Sequence, residues 1–151
     1  MKKFKKFSPH LIVILLFVAA VITIAISFSV TIYTINQYEI AVSLSLKSIT
    51  TPIGIALTEQ LNGNNSITAF AIILAGLFGA LLGPLWLSFI NVHSPKAQGL
   101  AIGAASHALG TATISKLSYE HAAYSSLALI ISAVVTAIFS PMIIKTLVHF
   151  L

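Results

Sequence analysis

The chain has 151 residues, 58% of them hydrophobic and 7% charged, with a mean hydropathy of +1.02. That balance lies far outside the range of a soluble domain and marks an integral membrane protein. The formal charge is +5, but four of the eight lysines sit in Met1–Lys6, which excludes a nucleic-acid surface, and the lack of cysteine excludes a disulfide framework or a cysteine-ligated metal.

Residues 1–10 read as a basic cytoplasmic N-terminus, because a lysine cluster beside the first span favours the cytoplasmic side. Residues 11–35 form the first apolar stretch long enough to cross a hydrocarbon core, which takes ~20 helical residues. A secretory leader cleaved after Ala25-Ile-Ser27 is the competing reading. The apolar run continues about eight residues further, beyond a leader core of ~7–15 residues, so an uncleaved anchor is expected.

Asn36-Gln-Tyr-Glu39 is a polar boundary, with Tyr33 and Tyr38 as interfacial aromatics. Residues 40–61 follow, interrupted at Thr50-Thr-Pro52. Asn62-Gly-Asn-Asn-Ser66 is a turn-forming cluster, and Ser66 is the expected N-cap of the second span, 67–90. Gly76, Gly79 and Gly83 give that span a small-residue ridge for close helix approach within the chain.

Asn91-Val-His-Ser-Pro-Lys96 is the next loop, and residues 98–116 form a second interrupted segment rich in Gly and Ala. Ser118 is placed to cap the third span, roughly 122–150, with Glu120 near its N-terminus. His10, His93, His121 and His149 fall near element ends and are expected at interfaces. The fold class is therefore an all-α polytopic membrane protein with three long transmembrane helices and two interrupted, broken or re-entrant, segments, residues 11–151 forming one membrane domain.

The regions 40–90 and 97–148 resemble each other as internal repeats. Each has a broken small-residue segment, then an acidic residue (Glu59, Glu120), then a long span ending at Pro84 or Pro141. Pro52 precedes Pro84 by 32 residues, and Gly110 precedes Pro141 by 31. If the broken segments re-enter, the units run in opposite senses, a recurring transporter plan. If they cross fully, the chain has five spans. Re-entry places Lys96 and Lys116 on the side of the lysine-rich N-terminus and is favoured for that reason.

Polar, interrupted backbone at membrane depth survives only where it is buried in protein or lines a cavity. Thr51 is a competent N-cap and Pro52 suits the first position of a new half-helix. Likewise Gly110 can end one half-helix while Thr111 caps another beginning at Ala112. Half-helix N-termini carry unpaired amides and partial positive charge, which suit anions, carboxylates included. Lys47, Ser48, Thr50, Thr51, Ser106, His107, Thr111 and Thr113 add donors there. Together with Pro52 and Gly110 they form a candidate site for a small anion. The plainer readings are a Thr-Pro kink and a Lys47 that reaches for an interface. His107, in an apolar small-residue setting, is the strongest single candidate, as an anion donor or in proton coupling. No metal-ligand spacing and no nucleophile–base pair stand out, so neither an enzyme nor a cofactor is expected.

At these same residues the sequence resembles the LrgB/CidB family of bacterial membrane proteins. The resembling strings are Lys47-Ser-Ile-Thr-Thr-Pro-Ile-Gly-Ile-Ala56, Ser66-Ile-Thr-Ala69 with Gly79-Ala-Leu-Leu-Gly-Pro84, and Lys96-Ala-Gln-Gly-Leu-Ala-Ile-Gly-Ala-Ala-Ser-His-Ala-Leu-Gly-Thr-Ala112. The likeness covers about residues 40–145, the family's C-terminal portion. Family members carry further membrane segments ahead of this region, where one span stands here, so the expectation is a truncated or split gene product or a short variant that needs a partner. The resemblance implies a multi-pass protein of the bacterial cytoplasmic membrane, with a small LrgA/CidA-type protein as partner and a homo- or hetero-oligomer. It implies two competing roles. One is transport of small monocarboxylates such as pyruvate or glycolate; the other is antiholin-like or holin-like control of murein hydrolase activity and autolysis.

Overall fold

The computed structural model describes residues 8–150. The lysine cluster Lys2–Lys6 lies outside the described residues. Six helices follow in order: α1 (Pro9–Ile35), α2 (Tyr38–Ser45), α3 (Thr51–Gln60), α4 (Asn65–Phe89), α5 (Pro95–Ile114) and α6 (Tyr119–Phe150). Among the described residues, α1, α4 and α6 are long and apolar enough to cross a membrane. At 1.5 Å per residue they run about 37–48 Å, against a hydrocarbon core of about 30 Å. The chain is a multi-pass membrane protein with three long helices and two interrupted ones.

The long helices are apolar all round, and each keeps a narrow stripe for its neighbours. In α1 the buried positions are Ile12, Leu16, Ala20, Ile24, Phe28 and Thr31, nearly all four residues apart. This stripe packs Ile12 and Leu16 against Ala128 of α6, and Ile24 and Phe28 against α2 and the later part of α6. The two helices run parallel. Both α4 and α6 continue through the prolines expected to end them, to Phe89 and Phe150. Asn64, not Ser66, caps α4: its side-chain oxygen accepts from the amides of Ser66 and Ile67. Ser118 does cap α6, accepting from the His121 amide.

Both interrupted segments turn back on themselves. In the first, α2 and α3 are about 12 and 15 Å long, enough to reach mid-depth and return. The end of α3 comes home to the start of α2. The Asn64 amide donates to Ser43 Oγ at 2.7 Å, and the Asn64 side chain donates to Glu39 Oε1 at 3.0 Å. Thr58 and Thr68 share a buried hydroxyl–hydroxyl bond of 2.7 Å across the α3–α4 turn.

In the second segment the chain reverses at His107, whose φ of 46° and ψ of −131° interrupt α5. Those angles match the first central position of a type II′ turn, where glycine is usual. The arms 95–106 and 108–114 then lie side by side. Gly110 packs against Ile102 and Ser106, although eight residues of straight helix would put Gly110 and Ile102 about 12 Å apart. Ile114 returns to Leu87 and Val92, at the end where α5 began.

The element order thus repeats with opposite sense. The α2–α3 hairpin opens to the end of the molecule that carries Glu39, and α4 crosses from there. The α5 hairpin opens to the other end, which carries Lys96, and α6 crosses back. The predicted glycine ridge of α4 is the seat of α5: Gly76 faces Leu109 and Ser106, Gly79 faces Ser106, and Gly83 faces Ile102. On the other flank, Gly99 and Gly103 of α5 lie directly on the backbone of His121 and Ser125 in α6.

Candidate functional site

The two reversals meet inside the molecule. The His107 imidazole, buried at the tip of the α5 hairpin, lies against the backbone carbonyl of Ser48 in the link between α2 and α3. Ser48 and His107 are 59 positions apart in sequence, and two hairpins entering from opposite ends bring them together. A wall of apolar side chains stands on the Glu39 side of this contact: Leu46 and Ile49 pack with Ile24, Phe28 and Ile144.

On the Lys96 side lies a cavity of about 630 Å³, bounded by α1, α5, α6 and the first link. Lys96, Ala97 and Tyr124 stand at its mouth, near the beginnings of α5 and α6. Thr23, Lys47, Ser48, Ala75 and Ser132 form its floor, at the depth of the reversals. Lys47 Nζ donates to Ser27 Oγ of α1. Lys96 at the mouth sits over the Tyr124 ring, its nitrogen 5.5 Å from the ring centre. The three carboxylates of the chain, Glu39, Glu59 and Glu120, all stand exposed at helix ends. The half-buried Lys47 therefore has a hydroxyl as its partner, not a counter-ion.

The predicted site residues divide clearly. Lys47 and Ser48 line the cavity. Ser106, His107 and Gly110 are buried at the α5 reversal, behind the floor rather than on it. Ser106 Oγ, His107 Nε2 and Thr111 Oγ1 have no hydrogen-bond partner among the described residues. Thr50 and Thr51 are half-buried at the start of α3, while Pro52 and Thr113 are exposed; Thr113 donates to the Leu109 carbonyl of its own helix.

Two expected helix starts move. Helix α3 begins at Thr51 with Thr50 as the N-cap residue, and the Thr50 side chain makes no capping bond. The second break falls at His107, not Gly110, so Thr111 caps nothing and lies inside the returning arm. Gly110 is small for a different reason: a side chain there would strike Ser106 and Ile102 of the outgoing arm. His121 is near an element end as expected but buried, its ring held between Gln98 Oε1 and Ser118 Oγ, each at 2.8 Å.

Sequence reasoning missed the third contributor, α6. Its buried seam runs Ser125, Ala128, Ser132, Thr136, Ser140. Ser132 reaches the cavity floor, and the hydroxyls of Thr136 and Ser140 are buried without partners among the described residues. The signal was present: Ser132, Thr136 and Ser140 recur every four residues, one face of a helix, in an otherwise apolar span.

The cavity thus runs from Lys96 and Tyr124 at the starts of α5 and α6 to Lys47 and Ser48 beside the meeting of the two reversals. Comparison with known proteins identifies the family. The LrgB-like family model matches residues 1–146. The holin-like protein CidB of Staphylococcus aureus is 32% identical over 134 residues, covering 86% of this chain and 58% of that protein. CidB of Staphylococcus epidermidis is 33% identical over 144 residues, covering 93% and 62%. The protein YxaC of Bacillus subtilis is 36% identical over 108 residues, covering 72% and 47%. The chain spans roughly half to three-fifths of the length of these curated relatives. No solved structure matches it. The chain belongs to the LrgB-like family.

Proposed function

We propose that this protein binds small monocarboxylates, pyruvate- or glycolate-like, and helps to move them across the bacterial cytoplasmic membrane. The observation that carries the reading is Lys47: a half-buried cation, without a carboxylate beside it, on the floor of a cavity that ends where two broken segments meet. An uncompensated charge in an apolar setting is costly, and an entering carboxylate would offset that cost. Ser48 and Ser132 supply hydroxyl donors at the same level. His107 and its contact with Ser48 form the seal that must part for the acid to leave on the far side, as opposed broken segments do in alternating access.

The Lys96 end is the cytoplasmic one in this reading. Lys96 and Lys116 belong to it, against Lys145 alone near the other end, and α1, which the lysine-rich stretch precedes in sequence, starts here. The units 40–90 and 97–148 are then an inverted duplication. A small LrgA/CidA-type protein, or a further copy of this chain, completes the assembly.

A second reading has the relatives' name in its favour. CidB is called holin-like, and a regulator of murein hydrolases acting through membrane partners needs no acid site. Uptake of labelled pyruvate and glycolate, by cells expressing this chain with and without an LrgA-type partner, separates the two. Uptake abolished by Lys47→Gln, with the protein still in the membrane, supports the carrier. Autolysis control that persists in Lys47→Gln, with no uptake by either form, supports the regulator.

A further inference from the structure

Beyond the cavity floor, α6 carries two more hydroxyls toward the Glu39 end. Thr136 and Ser140 follow Ser132 at intervals of four residues, so the three share one face of α6, each about 6 Å further along its axis. Ser132 lines the floor, whereas Thr136 and Ser140 are fully buried. Their neighbours on α6, Ala133, Ala137 and Ile144, belong to the apolar wall that Leu46 and Ile49 build with Ile24 and Phe28 of α1. Two polar groups therefore stand inside the wall on the Glu39 side of the floor.

Other hydroxyls of the long helices find partners. Exposed Thr34 and Thr146 donate to the Val30 and Met142 carbonyls of their own helices, and buried Thr68 pairs with Thr58. Among the described residues of α1, α4 and α6, the fully buried hydroxyl oxygens left without a partner are Thr136 Oγ1 and Ser140 Oγ. A dry, unpaired hydroxyl is unfavourable, and valine or alanine would fill the same space without that cost. A polar seam kept in an apolar wall has a use when the wall opens.

The wall also carries a charge with it when it moves. Lys47 and Ser48 lie between Leu46 and Ile49 in the same link, so the wall residues cannot withdraw without shifting the floor cation. Drawing an unpaired ammonium into apolar surroundings is costly, and a carboxylate beside it offsets that cost. We infer that the wall opens with the acid on board, and that the acid then leaves toward the Glu39 end along α6, past Thr136 and Ser140. This rests on the carrier reading above and gives it the second half of its route.

The chain has no cysteine of its own, so Thr136→Cys, Ser140→Cys and Ile138→Cys are made singly. Each is followed in oriented vesicles, with a small membrane-impermeant thiol reagent on the Glu39 side and pyruvate or pyruvamide on the Lys96 side. Ile138 lies between the two in sequence but is exposed on the outer face of α6, and serves as the lipid-side control. Pyruvate should speed labelling of Thr136→Cys and Ser140→Cys at least about fivefold, by favouring the open state, while pyruvamide and the Ile138 control show no change. At the floor the sign is opposite, since bound acid should slow labelling of Ser48→Cys from the Lys96 side. The double variant Thr136→Val, Ser140→Ala should lower pyruvate uptake, with an LrgA-type partner present, at least about fivefold through loss of two donors. Its melting temperature should be no lower than that of the unaltered chain. Either wall cysteine unmoved by pyruvate, or labelled from the Lys96 side alone, overturns the inference and leaves floor binding standing. Full uptake by the double variant, or a fall in uptake matched by a fall in melting temperature, also overturns it. Labelling of Ser48→Cys that no monocarboxylate slows overturns the carrier reading and the inference together.

Discussion

The reversal at His107 makes a prediction whose sign decides it. A side chain at φ 46° places Cβ against backbone and costs about 1–3 kcal/mol, a penalty glycine escapes. Replacing His107 by alanine or by glycine removes the same imidazole and the same contact with Ser48. The two variants differ in Cβ alone. In a continuous helix glycine is worse than alanine by about 0.8–1.0 kcal/mol. At a type II′ reversal the order inverts, and His107→Gly should be the more stable by about 1–2 kcal/mol. For a chain of this size that is roughly 2–8 °C in Tm, read from thermal unfolding of both variants in the same detergent. Both should lose uptake, so activity does not confuse the comparison. An alanine variant as stable as the glycine one, or more so, would show that α5 runs through residue 107 without reversing.

Three further outcomes follow from the packing. Gly103→Ala should destabilise by about 1–3 kcal/mol, since the added carbon would lie 2.7–2.8 Å from Ser125 backbone carbons; Gly76→Ala should be near neutral, because its nearest contact, at 3.0 Å, is the end of the flexible Leu109 side chain. Asn64→Ala should cost about 0.5–2 kcal/mol in the same unfolding assay, through loss of the α4 cap and of the tie to Glu39. With no native cysteine to remove, single cysteines at Asn36 and Asn62 should label from one side of the membrane, and those at Asn91 and Leu117 from the other. Labelling of Asn36 and Asn62 from opposite sides would mean that the first segment crosses.

What the sequence revealed and what it concealed have physical causes. Span positions follow from hydropathy, which depends on local composition alone, and they agree with α1, α4 and α6 to within about three residues. The first break was legible because proline constrains backbone wherever it occurs; the start of α3 moved by one residue. The second was misplaced because Gly110 is the conventional breaker, whereas the chain turns at a histidine. Gly110 is demanded by a contact with Ile102 that exists only after the turn. Whether the segments re-enter or cross is decided by tertiary contacts, Ile114 with Val92 and Asn64 with Ser43, which no local pattern encodes. The participation of α6 was encoded, in the four-residue recurrence of Ser132, Thr136 and Ser140.

The central claim is that a carboxylate occupies the cavity floor beside Lys47, reached from the Lys96 end. Its most direct test places the only cysteine of the chain at that floor, as Ser48→Cys, and follows its reaction with a membrane-impermeant thiol reagent in oriented vesicles. The account predicts labelling from the Lys96 side, slowed in a saturable way by a monocarboxylate and not by the corresponding amide. Labelling from the Glu39 side, or a rate that carboxylates leave unchanged, would contradict it.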